Sequence, residues 1–64
     1  EKLDERLISY LEKKSDLNSS KILSIKHQQI ADDLNTSRVV ISRLLKKLEN
    51  KSYLKIHRKS IEII

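Results

Sequence analysis

The 64 residues predict a mainly α fold, three helices followed by a small β-hairpin. Three observations carry this expectation. Apolar residues recur at helical spacing in three separate segments. Clusters of turn-forming residues divide those segments. Only the last twelve residues switch to an alternation of period two.

The first helix is expected over residues 2–14. Leu3, Leu7, Ile8 and Leu11 make one apolar stripe, and charged residues fill the other faces. Asp4 and Glu5 stand near its start, and Lys13 and Lys14 near its end, as the helix dipole prefers. Residues 15–20 read as a loop of turn formers, and residues 22–25 as a short strand.

A second, short helix is expected over 27–34, with Ile30, Ala31 and Leu34 on one side and Asp32 and Asp33 in solvent. Asn35 ends it, because Asn tolerates the left-handed backbone of a helix terminus. Thr36 and Ser37 are both good N-caps for a third helix running to about Asn50. At about 100° per residue, Ile41, Leu44, Leu45 and Leu48 of this helix fall within one arc. Arg38, Val39, Ser42, Arg43 and Lys46 fall on the opposite side. In the last segment Leu54 and Ile56 alternate with Lys55 and His57, and Ile61 and Ile63 with Ser60 and Glu62. Two strands joined at about residues 57–60 give a hairpin with a basic tip. The turn has no Gly or Asn, so it lacks the usual hairpin signal, and its loop is expected to be wider than two residues.

Composition narrows the function. The length allows one small domain, which buries only about 60% of the surface of its unfolded chain. Cys and Gly are both absent, which excludes disulfides, thiolate chemistry and a glycine-rich phosphate loop. Two lone His are too few for a zinc site. No apolar run exceeds three residues, so no segment is expected to span a membrane, and no signal peptide is visible. The chain opens on Glu rather than Met and is expected to be a piece of a longer protein. No nucleophile–base pair or metal constellation is present, so an enzyme is not expected. The net charge of +5 is uneven: residues 1–25 carry five basic and five acidic side chains, and residues 26–64 carry nine and four. Within 37–59 eight basic residues face the single Glu49. Such a segment favours a polyanion as partner.

Short helix, tight turn, longer helix and basic hairpin is the order of a winged helix-turn-helix. The single domain is expected to span 1–64, with its helix-turn-helix at about 27–50 and its wing at about 53–64. The run from His27 to Glu49 resembles the helix-turn-helix of Crp/Fnr-type bacterial transcription regulators. Its most specific part is Thr36-Ser37-Arg38 followed by Ile41-Ser42-Arg43-Leu44-Leu45-Lys46. The first helix and the final hairpin fit that family's C-terminal domain as well.

The resemblance implies sequence-specific duplex DNA binding, with residues 37–50 as a recognition helix in the major groove. It implies base contacts at Arg38, Val39, Ser42 and Arg43. Arg38 matches an arginine that reads a base, and its planar fork suits guanine. Val39 stands where a base-reading Glu is common and offers only a methyl contact to thymine. Backbone contacts are implied at Lys26, His27, Gln28, Thr36, Ser37, Val40, Lys46, Arg58 and Lys59. Val40 replaces a common Thr, Arg58 a usual Gly in the wing, and Lys26 the usual Thr or Ser cap. No cofactor is implied in this domain, because an effector would bind a separate N-terminal domain. Implied partners are two-fold symmetric double-stranded DNA, a second subunit in the full-length homodimer and RNA polymerase, but no membrane. The implied location is cytoplasmic.

Plainer readings stand beside these. Arg38 and Arg43 can be solvated charges, and Val39 with Val40 a protein-contact patch. Tyr10 and Tyr53 are expected as half-buried core residues rather than base-stacking platforms. The fold also serves as a protein-interaction or dimerisation module, or as a single-strand or RNA binder.

Overall fold

The computed structural model describes residues 2–64. Helix α1 spans Lys2–Asn18, strand β1 Ile22–Leu23, α2 His27–Asp33, α3 Arg38–Asn50, β2 Leu54–Ile56 and β3 Ile61–Ile63. The mainly helical fold with a hairpin wing is the one the sequence predicts. Strand β1 adds a third member, and the antiparallel order is β1-β3-β2. The pairings are Ile22 with Glu62 and Leu23 with Ile61, then Leu54 with Ile63, Lys55 with Glu62 and Ile56 with Ile61.

Two boundaries differ from expectation. Helix α1 continues four residues past 14, through the segment that reads as a loop. Its polar side chains support the extra turn: Asn18 Nδ2 donates to the Lys14 carbonyl at 2.9 Å and Ser15 Oγ to the Ser20 carbonyl at 2.7 Å. The extra turn buries nothing, and Leu17 is 76% exposed. Strand β1 is two residues long rather than four, because only Ile22 and Leu23 find partners on β3.

All three helices end the same way, without glycine. Ser19, Asn35 and Ser52 have φ of 51°, 57° and 65°. At each end the left-handed residue donates its N–H three residues back, and the next residue donates five back. The pairs are Ser19 to Asp16 with Ser20 to Ser15, Asn35 to Asp32 with Thr36 to Ala31, and Ser52 to Glu49 with Tyr53 to Leu48. These are Schellman motifs, which satisfy carbonyls that a helix end would leave open.

One core joins every element. It comprises Leu7 and Leu11 of α1, Leu23 of β1, Ile30, Ala31 and Leu34 in and just after α2, Ile41, Leu45 and Leu48 of α3, and Leu54 and Ile61 of the wing. No polar or charged residue among those described is buried. Ala31 is fully buried, and its small side chain lets α2 and α3 approach. Leu44, on the edge of the apolar arc, is half-buried. Polar contacts fix α1 from outside the core. Asp4 accepts from Lys47 Nζ of α3 at 2.8 Å, and Arg6 donates to the Leu34 carbonyl at 3.2 Å. The Tyr10 hydroxyl donates to Asp33 of α2.

Candidate nucleic-acid interface

The junction of α2 and α3 is set by its turn. Thr36 and Ser37 follow the left-handed Asn35, and Ser37 takes extended backbone (φ −92°, ψ 153°) as N-cap of α3. Its hydroxyl accepts the Val40 N–H at 3.2 Å, and its carbonyl accepts the Ile41 N–H at 3.1 Å. Arg38 is therefore the first helical residue and projects from the exposed start of α3. At the start of α2 the cap position falls to Lys26, which makes no side-chain cap bond, as expected for a residue without a short acceptor.

The outer face of α3 is polar except at Val39. Arg38, Val39 and Arg43 are exposed, Val39 to 60%. Val40 and Ser42 are half-buried. Ser42 faces α2: its Oγ lies 3.0 Å from Nδ1 of His27. Burial of the imidazole, then the neighbouring Arg38 charge, holds His27 below its ordinary value of 6.5. Lys46 is exposed and pairs with Glu49 at 3.2 Å.

The wing is fastened to α3 by that same Glu49. Its Oε2 accepts the backbone N–H of Ile56 at 2.9 Å. That bond, then the bond from Lys46, lowers the Glu49 pKa below 4.5. At the tip, the His57 N–H donates to the Ser60 carbonyl at 2.9 Å, so the loop is the two residues Arg58 and Lys59 and not the wider one expected. Neither has positive φ, so the turn is not one of the primed types that need Gly or Asn. His57 Nε2 lies 2.9 Å from Glu62 Oε1 on the facing strand.

These elements converge on one groove of about 820 Å³ between the start of α2, the first residue of α3 and the wing tip. Lys26, His27, Gln28, Arg38, Arg58 and Lys59 all line it. The six come from three separate stretches of the chain, 26–28, 38 and 58–59, so the fold gathers them. No carboxylate lines it. Thr36, Ser37, Val39, Val40, Ser42, Arg43 and Lys46 lie outside the groove, along the turn and the body of α3. Gln28 is also engaged along its own helix, donating to Asp32 at 2.9 Å.

Two participants and one contact are not foreseen in the sequence. His57 lines the groove but stands out in sequence only as a lone possible ligand. Glu49, the single acid of the basic segment, is the wing anchor, and its isolation was a usable signal. The His27–Ser42 contact joins residues fifteen apart on facing helices, for which no local pattern exists. The tyrosines divide: Tyr10 is half-buried as expected, whereas Tyr53 is 54% exposed. Tyr53 follows the left-handed Ser52, which turns it out of the core to lie beside Ile8, Leu11 and Ile64.

Asp32 and Asp33 are exposed and already bonded by glutamines one turn earlier. No three His, Cys, Asp or Glu residues gather as a metal site among the described residues. No described helix is long and apolar enough to cross a membrane.

Residues 5–64 match the model of the Crp-like helix-turn-helix domain. Comparison with curated proteins gives no match. Among solved structures, the chain is similar to a protein described as a transcriptional regulator of the Crp/Fnr family from Eubacterium rectale. The two share 33% identity with a TM-score of 0.94. That likeness covers 95% of this chain and 28% of the other, so the chain spans well under a third of the regulator's length. A family match running from residue 5 to residue 64, on a fold with helix, left-handed turn, helix and wing in the expected register, places this chain in the Crp-like helix-turn-helix domain family.

Proposed function

We propose that this chain binds duplex DNA sequence-specifically, as the C-terminal domain of a Crp/Fnr-type transcription regulator. Family membership supports DNA binding in transcription regulation. The observation that carries the finer reading is the groove free of carboxylate. It joins Arg38 at the start of α3 to Arg58 and Lys59 of the wing and Lys26 before α2. A duplex seated there would place α3 in the major groove, with Arg38, Val39, Ser42 and Arg43 toward base edges. Lys26, His27, Gln28, Thr36, Ser37, Val40, Lys46, Arg58 and Lys59 would hold the phosphates.

The largest dimension of the domain is 26 Å. Half-sites of this motif class lie about 34–36 Å apart, so one domain covers one half-site. A homodimer on two-fold symmetric DNA, an effector domain elsewhere in the protein, contact with RNA polymerase and a cytoplasmic location complete the reading.

A protein-interaction or dimerisation module is the second reading, and the 60% exposure of apolar Val39 on the outer face of α3 favours it. Single-strand binding relies on aromatic stacking. The exposed Tyr53 lies outside the groove and supports no such platform there.

The test is a salt titration of binding to random duplex, to single strand and to a symmetric duplex. Each phosphate neutralised contributes about −0.9 to the log–log slope on duplex DNA. Duplex binding with a steep slope, reduced by Lys59→Ala without a change in preferred sequence, is the expected result. Binding that ignores salt, or that favours single strands, contradicts the proposal.

A further inference from the structure

The contact between His27 and Ser42 ties a titratable group to a side chain on the proposed reading face. His27 is the first residue of α2, and Ser42 lies one turn after Arg38 on α3. Nδ1 and Oγ are 3.0 Å apart, and both residues are half-buried. A serine hydroxyl has one hydrogen to give and two lone pairs to offer. Which of these Ser42 presents to a ligand depends on what the imidazole takes.

We propose that His27 is a positioning residue that sets the hydrogen-bond polarity of Ser42, and thereby which base edge Ser42 reads. The inference rests on the duplex-binding reading above. In neutral His27 with its hydrogen on Nε2, the Nδ1 lone pair accepts the Ser42 O–H. Ser42 then offers only lone pairs outward. Those suit the amino groups of cytosine or adenine in the major groove. When His27 takes a proton from solvent, Nδ1–H donates to Ser42 Oγ and the hydroxyl hydrogen is released. Ser42 can then donate to N7 of guanine or adenine, to guanine O6 or to thymine O4, but no longer suits cytosine.

The surroundings define the neutral state. The charged and titratable groups sharing the groove with His27 are Lys26 beside it, Arg38 on α3, and His57, Arg58 and Lys59 on the wing. All the charges are positive, and no carboxylate lines the groove to favour the imidazolium. Burial, then Arg38, lowers the His27 pKa and so favours the neutral imidazole. A phosphate chain entering this groove brings the negative charge that the free protein lacks there. Protonation and DNA binding are therefore linked, and binding takes up a proton.

The test selects duplexes from a pool randomised over one half-site, at pH 5.5 and at pH 8, using the chain, His27→Gln and Ser42→Ala. The chain is expected to change preference at one base position. It should favour cytosine over guanine and thymine at high pH and the reverse at low pH, with adenine accepted at both, by about 2- to 10-fold, the range of one neutral hydrogen bond. Both variants are expected to hold one preference at both pH values. In parallel, imidazole 15N shifts of the free chain are expected to show the hydrogen on Nε2 at pH 8, and Ser42→Ala to alter that balance. A pH-dependent preference that persists in His27→Gln overturns the proposal, as does a pH effect on affinity equal for all sequences. An imidazole signal indifferent to Ser42→Ala overturns it as well. Duplex binding with an unchanged preference sinks only this inference, whereas no duplex binding at either pH sinks the DNA-binding reading with it.

Discussion

The side chain of Glu49, at the end of α3, accepts the backbone N–H of Ile56 in the wing at 2.9 Å. One carboxylate thus fixes the angle between the proposed reading helix and the basic hairpin. Ile56 lies on β2, an edge strand of the sheet, so its outward N–H has no strand to bond. Glu49 supplies the missing acceptor, and Lys46 steadies the carboxylate from the previous turn.

Glu49→Ala should leave the core intact and free the wing. The Ile56 amide is expected to exchange with solvent faster, and duplex affinity to fall with base preference unchanged. The Glu49 pKa is lowered in the fold, so the stability it lends is present above its unfolded value of 4.5 and is lost as pH falls through the lowered value. Amide exchange measured across that acid range checks the direction.

The three left-handed helix ends are an avoidable cost. A non-glycine residue in this conformation costs roughly 1–2 kcal/mol, partly offset because glycine gains freedom in the unfolded chain. Ser52→Gly is expected to stabilise the chain by about 0.5–1 kcal/mol, raising the midpoint of thermal unfolding by a few degrees. Asn35→Gly should gain less, because Asn already tolerates the conformation. Asn35→Val should destabilise and disturb the turn that aims α3.

Core truncation should be drastic. Ile41 and Leu45 are fully buried beneath the outer face of α3. Replacing either by Ala typically costs 2–5 kcal/mol. At roughly 0.05–0.15 kcal/mol per residue the whole fold holds only about 3–10 kcal/mol. Ile41→Ala is expected to leave much of the chain unfolded at 25 °C, as read by circular dichroism.

Tyr10 should mark the alkaline limit. Burial, then its bond to Asp33, raises its pKa well above 10. The folded state keeps the phenolic proton where the unfolded chain begins to lose it, so this contribution falls as pH rises above about 10. Tyr10→Phe should unfold at a midpoint less sensitive to pH between 9 and 11, by denaturant titration.

Much of this molecule was legible in the residues because its signals are local. The Asn35 turn, the Ser37 cap and the Ile41–Leu45–Leu48 stripe each rest on one residue type meeting one steric demand. The end of α1 was not legible, since Ser15, Asp16 and Asn18 are poor helix formers, and Ser15 and Asn18 are rescued by side-chain bonds to nearby carbonyls. Strand β1 was legible as a short strand, but its two-residue extent is set by the edge that β3 presents. In the site, Arg38 and Lys59 are implied by the family resemblance, and their meeting with Lys26 around one groove follows only from the docking of the wing. Contacts between distant residues, His27 with Ser42 and Glu49 with Ile56, carry no sequence period at all.

The central claim is that α3 reads base edges through Arg38, and selection from randomised half-sites with Arg38→Ala measures it. Arg38 is exposed and stands at the first residue of α3, opposite the buried stripe, so the variant should fold with unchanged stability. A guanidinium bidentate to guanine discriminates by about 1–3 kcal/mol. The account predicts that Arg38→Ala flattens preference at one base pair per half-site and leaves the others intact. Val39→Glu, read in the same selection, should add a preference for a cytosine amino group. An equal loss of affinity for every sequence with Arg38→Ala would make Arg38 a phosphate contact and contradict the account.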